Sequence, residues 1–173
     1  AACTVVVAAG AWSARLLKTI GLDIPLESER GYHIELKKAS KQPSGALMVA
    51  DGKFVATPMG DDLRLAGLVE FGGLDAGPSH APIETLTRRA EIVFPGIEFE
   101  DRTEWLGHRP ALPDSLPVMG PVDAHPGLYL AFGHQHVGLT CGPRTGRLIA
   151  DMIVGNRLNV DMTPYSVARF LKS

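Results

Sequence analysis

The chain has 173 residues, of which 45% are hydrophobic and 21% are charged, as expected for a soluble protein with one sizeable core or two small ones. A formal net charge of −2 excludes the basic surface typical of proteins that bind nucleic acids. No apolar run is long enough for a transmembrane helix, and the two cysteines, Cys3 and Cys141, exclude a disulfide framework. We therefore expect a reducing, cytoplasmic location, with any membrane association peripheral to the inner membrane.

The first predicted element is a β-branched strand from Thr4 to Ala9, which ends at Gly10. Its continuous apolar character is typical of a buried strand with neighbours on both sides. A short helix, Ala14–Ile20, follows. The apolar face of this helix consists of Leu16, Leu17 and Ile20. Because the chain begins without methionine and inside a strand, we expect it to be a piece of a longer protein that lacks its N-terminal part.

Alternating polarity predicts an antiparallel sheet in the middle of the chain. Between residues 29 and 37, Tyr32, Ile34 and Leu36 alternate with polar residues, which is typical of a half-exposed strand. Turn signals then separate three short predicted strands, which are Leu47–Val49, Phe54–Thr57 and Leu63–Ala66. This spacing predicts a meander.

An amphipathic helix and a proline-rich segment follow the predicted sheet. The helix runs from Ile83 to Phe94 and has apolar residues on one face. A strand predicted at Thr103–Leu106 then leads into Gly107-His108-Arg109-Pro110. We expect the next segment, Ala111–Gly127, to be a loop because prolines recur along it.

The stretch from Leu128 to Val154 predicts a buried strand, a glycine-rich loop and a helix. Gly133, Gly138 and Gly142 permit positive φ and allow a ligand to approach the backbone closely. Unpaired N–H groups at the start of the helix favour negative charge in the loop. In many α/β proteins such a loop only connects a strand to the following helix. The spacing of these glycines matches neither a phosphate-binding loop nor a dinucleotide-binding fingerprint.

Polar residues of the second half leave several chemical interpretations open. Arg109 is suited to bind a carboxylate with two hydrogen bonds, but when this residue is considered alone a surface ion pair with Glu104 or Asp114 is the favoured role. His134 and His136 are separated by Gln135, and a His-x-His pair can bind a metal ion. No third cysteine, histidine or carboxylate lies nearby at the spacing of a metal ligand, so we predict no metal site. These histidines are expected to bond the backbone or to contact a flat heteroaromatic ligand.

The aromatic residues of the first two thirds also have two interpretations. Tyr32, His33 and Phe54 are either packing residues of the sheet or the wall of a pocket. Trp12 and Trp105 are predicted to lie in the core. We identify no catalytic side chain, because no serine lies in the G-x-S-x-G turn of a hydrolase.

Four stretches together resemble the C-terminal half of the FAD-dependent D-amino acid oxidase/dehydrogenase family, with the greatest likeness to bacterial D-amino acid dehydrogenase. They are Val5-Val6-Val7-Ala8-Ala9-Gly10-Ala11-Trp12-Ser13, Arg30-Gly31-Tyr32-His33, Gly107-His108-Arg109-Pro110 with Pro113-Asp114 and Pro117-Val118-Met119-Gly120, and Gly133-His134-Gln135-His136-Val137-Gly138-Leu139-Thr140. The resemblance covers essentially the whole chain. The family's N-terminal G-x-G-x-x-G strand and its early acidic residue are absent.

The resemblance implies an α+β fold in which an antiparallel-sheet substrate domain is bracketed by elements of an incomplete, Rossmann-like FAD-binding domain. Residues 1–27 and 113–173 would belong to the FAD-binding domain, and residues 28–112 would form the substrate-binding domain. The N-terminal FAD-binding segment would be a missing partner, so we expect the isolated chain to bind FAD weakly and to be inactive.

The resemblance also implies roles for individual residues. Arg109 would bind the carboxylate of an amino acid substrate, and Tyr32, His33 and Phe54 are candidates for the same pocket. The residues implied in FAD binding are Gly10, Ala11, Trp12, Gly133, His134, His136, Val137, Gly138, Leu139 and Thr140.

The implied activity is oxidation of a D-amino acid, glycine or a sarcosine-like amine to an imine by hydride transfer to flavin N5. The alternative is a non-catalytic domain that binds a small ligand or a protein partner without flavin chemistry. The sequence leaves open the choice between oxidase and dehydrogenase, the preferred amine and the oligomeric state.

Overall fold

A computed structural model describes residues 3–171 and divides them into two compact units. The first unit comprises residues up to Glu29 together with those from Arg109 onward, and the second comprises Arg30–His108. Each unit has its own apolar core cluster. The chain is therefore mixed α and β, with one discontinuous and one continuous unit.

The first unit is built on a three-stranded sheet in the order β1-β8-β7. Its strands are β1 (Val5–Val7), β7 (Val118–Pro121) and β8 (Leu128–Phe132). The two helices of this unit are α1 (Ser13–Lys18) and α3 (Gly138–Ile153). Strand β8 runs parallel to β1 and antiparallel to β7, so it joins the two ends of the chain in one sheet.

The second unit contains a five-stranded sheet in the order β3-β4-β5-β2-β6 and one long helix. The strands are β2 (Glu27–Lys37), β3 (Leu47–Val49), β4 (Phe54–Met59), β5 (Asp62–Phe71) and β6 (Asp101–Ala111). Helix α2 (His80–Val93) buries Ile83, Leu86 and Ala90 in the core cluster of the sheet. Strands β3, β4 and β5 are joined antiparallel, which confirms the predicted meander and antiparallel sheet.

The alternation predicted for β2 is confirmed. Tyr32, Ile34 and Leu36 are buried on the side of the sheet that carries the core, while His33 and Glu35 are half-buried on the other side. A strand exposes successive side chains on opposite faces, so one face of this sheet packs against α2 and the other does not.

Two predictions about the proline-rich region are wrong. Strand β6 does not end at Leu106 but continues through Arg109 and Pro110 to Ala111. The predicted loop that follows contains β7, which has no alternating pattern because two of its four residues are Gly120 and Pro121. Pairing with β8 holds β7 in place, and such pairing cannot be seen in a local pattern.

Several predicted core residues are exposed. Val5 and Val6 of β1 are exposed, because among the described residues β1 is an edge strand that pairs only with β8. Leu17 of α1 is buried, but Leu16 is exposed and Ile20 lies beyond the end of the helix and is exposed as well, so the apolar face is narrower than predicted. Both tryptophans are exposed as well: Trp12 is half-exposed, and Trp105 is 55% exposed.

Candidate functional site

Gly133 forms the turn between β8 and the predicted cofactor loop. Its φ is +89°, and a Cβ built at this position would lie 2.5 Å from Leu112 Cδ1. The positive φ favours glycine at this position, and the short distance to Leu112 leaves no room for a Cβ. Gly133 uses the positive φ that glycine permits, but the predicted loop does not extend through Gly138 and Gly142, which lie in α3.

Helix α3 begins much earlier than a local pattern indicates. A 3₁₀ turn, Gln135–Val137, leads directly into Gly138, the first residue of α3. The first-turn amides of Gly138, Leu139 and Thr140 have no intrahelical acceptor, and the helix dipole adds partial positive charge at the same place. The Leu139 side chain, at the second position of this helix, is 96% exposed.

His134 and His136 point to different partners. His134 Nε2 is hydrogen-bonded to Thr145 Oγ1 of α3 at 2.9 Å, and desolvation by burial lowers the pKa of His134. His136 Nε2 lies 3.4 Å from Glu29 Oε2. The first contact ties the loop to α3, and the second ties it to the start of β2. No three His, Cys, Asp or Glu side chains between residues 3 and 171 come together as metal ligands.

Arg109 is part of strand β6 and has a buried guanidinium nitrogen. Its Nη1 makes no hydrogen bond among the described residues. The ion pairs that the sequence left open are both absent, because each acid pairs elsewhere. Glu104 accepts from Arg102 at 2.7 Å, and Asp114 accepts from Arg169 at 2.6 Å. The hydrogen bond from Arg169 also lowers the pKa of Asp114.

The segment after β1 turns at the same end of the sheet as Gly133. Gly10 has a φ of +54° and begins a 3₁₀ turn, Gly10–Trp12, in which Ala11 is buried. Because β1 and β8 are parallel, Gly10 and Gly133 both follow the carboxyl ends of neighbouring strands. Ligands of open α/β sheets bind at this end of the strands.

A cavity of about 390 Å³ lies beside the same loop in the first unit. Its wall includes His134, Gln135 and Val137 from the loop and Cys141 and Arg144 from α3. Neither Gln135 nor Arg144 is among the site residues that the sequence suggests, although Gln135 lies in the stretch that carries the resemblance. Arg144 donates to Asn159 Oδ1 at 2.5 Å, and no residue pattern predicts that contact between α3 and the tail.

Two of the three aromatic candidates in the second unit are packing residues. Phe54 is 1% exposed and Tyr32 is 2% exposed, and both belong to the core cluster. The Tyr32 hydroxyl donates to Glu70 Oε2 at 2.6 Å and accepts from the Ser79 amide at 3.0 Å. Of the two interpretations that the sequence allows, sheet packing is therefore the one that the structure supports for these residues.

His33 lies on the other face of the sheet and stacks on Trp105. The two ring centroids are 4.8 Å apart, and the ring planes are inclined by 15°. The prediction that Trp105 is a core residue is wrong, because its outer surface remains exposed. An exposed stack of two aromatic rings is a flat surface for a ligand.

The loop and helix start of the first unit follow the carboxyl ends of two parallel strands, where α/β proteins bind ligands, and comparison with known proteins gives the family. A family described as FAD dependent oxidoreductase, DAO, matches residues 1–152. The chain belongs to this DAO family, whose cofactor is FAD. The glycine at φ +89° and the first-turn amides of α3 suit the close approach of a planar, partly anionic group of this kind.

Individual relatives are amino acid oxidases and dehydrogenases. The chain is 39% identical over 170 residues to a D-amino-acid oxidase of Bradyrhizobium diazoefficiens, covering 96% of this chain and 40% of that protein. It is 34% identical over 172 residues to a D-amino acid dehydrogenase of Sinorhizobium medicae, covering 98% and 41%. Glycine oxidase from Geobacillus kaustophilus superposes with a TM-score of 0.82 at 28% identity, covering 99% and 47%. The chain thus spans less than half the length of these relatives.

Within residues 3–171, no helix is both long and apolar enough to cross a membrane.

Proposed function

We propose that this chain is the C-terminal part of an FAD-dependent enzyme that oxidises a D-amino acid, glycine or a sarcosine-like amine to an imine. The family supports the cofactor, and the names of the relatives support an amino acid as the substrate. The proposed activity is that of a longer protein, because this chain aligns with only 40% of the length of the D-amino-acid oxidase relative.

The observation that carries the proposal is the buried Nη1 of Arg109, which has no hydrogen-bond partner among the described residues. A buried guanidinium nitrogen without a partner is costly, and a carboxylate that binds with two parallel hydrogen bonds removes that cost. We therefore assign Arg109 to the α-carboxylate of the substrate. This contact orients the substrate and fixes the position of its Cα–H.

The first-turn amides of Gly138, Leu139 and Thr140 are assigned to the pyrimidine edge of the flavin. Bound FAD would accept a hydride from the substrate, and the amides would stabilise the negative charge that its reduction creates. Gly133 lets the backbone approach the ring, and His134, His136 and Val137 position the loop. Gly10, Ala11 and Trp12 are assigned to the same cofactor because they follow the neighbouring parallel strand.

The domain assignment is part of the proposal. Residues 1–27 and 113–173 would complete a Rossmann-like FAD-binding domain together with an N-terminal segment, and residues 28–112 would form the substrate-binding domain. We assign no side chain to proton transfer, since a substrate amine that arrives neutral needs no protein base. We expect the isolated chain to be inactive and the whole enzyme to be cytoplasmic.

The test uses the full-length protein that carries this chain. Its visible spectrum would be recorded, and D-amino acids, glycine and sarcosine would be added one at a time without oxygen. A flavin spectrum that bleaches with one of them supports the proposal. A colourless protein that takes up no FAD would refute it and favour the non-catalytic binding domain.

Substitution of Arg109 tests the assignment of the carboxylate contact. Loss of charge-assisted hydrogen bonds worth about 3 kcal/mol predicts that Arg109→Ala lowers kcat/KM by about 100-fold. Bound FAD should remain in place. Arg147→Ala is the matched control, because Arg147 lies on the exposed side of α3 and pairs with Asp151 of the same helix at 2.8 Å. Equal kinetics for the Arg109 variant and the wild type would remove Arg109 from the site.

A further inference from the structure

The cavity of about 390 Å³ in the first unit is separate from the residues assigned above to the flavin edge and to the substrate carboxylate. Gly138–Thr140 and Arg109 do not line it. Helix α3 contributes one face to its wall, at the helical spacing of Cys141, Arg144, Thr145 and Leu148. Its apolar lining residues are Leu116, Pro117, Met119, Val137, Leu148 and Val160. A concave site of this size, with a few polar groups on a mainly apolar wall, is typical of sites for small molecules.

The loop before β7 forms part of this wall and is fixed by hydrogen bonds. Ser115 lines the cavity and has a φ of +61°, which lies in the left-handed region. Arg169 donates to the carbonyl oxygens of Leu116 at 2.7 Å and Pro117 at 3.2 Å. It also pairs with Asp114 at 2.6 Å. A residue other than glycine keeps such a backbone conformation only where its surroundings hold it, and these residues cluster at sites that bind ligands. The wall is therefore pre-organised, which lowers the cost of ordering it when a ligand binds.

Arg144 supplies a positive charge to the cavity. Among the described residues that line it, no other side chain is permanently charged. Arg144 donates to the neutral amide oxygen of Asn159 at 2.5 Å. The carboxylate of Asp151, on the same helix, instead accepts from Arg147 and Asn156, each at 2.8 Å. No described carboxylate pairs with Arg144, so its remaining N–H groups are available to an acid from outside the chain.

We propose that this cavity is a second ligand site, which binds a small apolar molecule that carries one carboxylate. Arg144 binds the carboxylate, and the apolar wall contacts the rest of the ligand. The hydroxyl groups of Ser115 and Tyr165 are further donors on the same wall. Burial of the apolar body contributes affinity, and the charge-assisted contact with Arg144 selects an acid over an alcohol of the same length. The inference goes beyond the proposed function, because it requires neither flavin nor the amino acid substrate.

The experiment measures binding of octanoate to the full-length protein that carries Arg109→Ala. This background removes the carboxylate contact assigned to the substrate. Isothermal titration calorimetry gives the dissociation constants of octanoate and of 1-octanol, which is the uncharged probe. The place of binding is read from the rate at which iodoacetamide alkylates Cys141, because this half-buried residue lines the cavity. Cys3 is exposed and serves as the control within the same chain.

Three further variants in the same background test the residues. Arg144→Gln removes the charge, and it should fold normally because Arg144 is exposed on α3. Val160→Trp fills part of the cavity, since Val160 lies on its wall. Asn159→Ala is the matched control, because it removes the hydrogen bond of Arg144 but keeps the charge.

We expect octanoate to bind more tightly than 1-octanol and to slow alkylation of Cys141 but not of Cys3. Arg144→Gln should weaken octanoate about tenfold or more, as expected for loss of a charge-assisted hydrogen bond. Val160→Trp should weaken both probes, and Asn159→Ala should not weaken octanoate.

Four results would overturn the inference: no binding of octanoate, equal affinities for the two probes, an unchanged affinity in Arg144→Gln, or unprotected Cys141. An equal loss in Asn159→Ala and Arg144→Gln would overturn it too, because that pattern indicates a structural role for the Arg144 contact. A full-length protein that takes up no FAD refutes the proposed function alone. Octanoate binding that depends on Arg144 would still support the second site.

Discussion

Replacing Gly133 with alanine should destabilise the first unit more than the same change at any open glycine turn. The φ of +89° belongs to the left-handed region, which costs a residue with a Cβ about 1–2 kcal/mol. In addition, the new Cβ would lie 2.5 Å from Leu112 Cδ1, and Leu112 is itself buried in the core cluster. Overpacking of this kind costs about 1–3 kcal/mol. The two effects together predict a loss of about 2–5 kcal/mol in the free energy of unfolding.

Gly155→Ala is the matched control for this prediction. Gly155 follows the end of α3 with a φ of +74°, but a Cβ there would meet no atom within 4 Å. It should therefore cost only the backbone strain, about 1–2 kcal/mol. Because both variants lose the same conformational freedom of the unfolded chain, the difference between them isolates the collision with Leu112.

Urea denaturation of the full-length apoprotein, followed by fluorescence, measures both variants without a contribution from cofactor binding. Gly133→Ala should shift the midpoint clearly further than Gly155→Ala, with little change in the m-value. Equal losses at the two positions would mean that Leu112 moves aside freely. The argument that this turn is tightly packed would then be wrong.

Two further predictions concern the core and the histidines. Leu86→Ala should lower the free energy of unfolding by about 2–5 kcal/mol, because Leu86 is fully buried in the core cluster of the second unit. Leu139→Ala should change it by less than about 0.5 kcal/mol in the apoprotein, because Leu139 is 96% exposed. Similar urea midpoints for the two variants would contradict this contrast. Burial lowers the pKa of His134 and His33 below the usual 6.5, so just below pH 6.5 the unfolded chain binds more protons than the folded one. The free energy of unfolding should thus fall as the pH drops through 6.5 towards the lowered values, with a smaller slope in His134→Gln. Stability that increases on acidification in this range would show that the histidines gain charge on folding.

Local patterns predict the second unit well. The alternation of Tyr32, Ile34 and Leu36 predicts both the strand and its buried face, because period two is a property of any half-buried strand. The bounds of β3 agree with those of the predicted strand Leu47–Val49. The same reasoning fails for β7, whose glycine and proline conceal a strand that exists because β8 offers it hydrogen bonds.

The start of α3 shows a different limit of local reasoning. Each glycine in a helix interior costs about 1 kcal/mol relative to alanine, so Gly138 and Gly142 favour the predicted loop. The helix nevertheless begins at Gly138, since Thr145, Leu148 and Ile149 are buried on one side of it. Burial of an amphipathic face contributes more to helix stability than intrinsic propensity does.

The sequence by itself determines the elements whose period is strong, the DAO family resemblance, and the choice of Arg109 and the Gly133–Thr140 loop as candidates for the site. Only the tertiary structure decides between a paired and an unpaired Arg109, because Glu104 and Asp114 find other cations through contacts that spacing does not encode. It also buries Tyr32 and Phe54 in the core cluster of the second unit and places Trp105 on the surface. The physical reason is common to these cases: burial and pairing depend on which residues meet in space, whereas a sequence pattern reports only what each residue prefers alone.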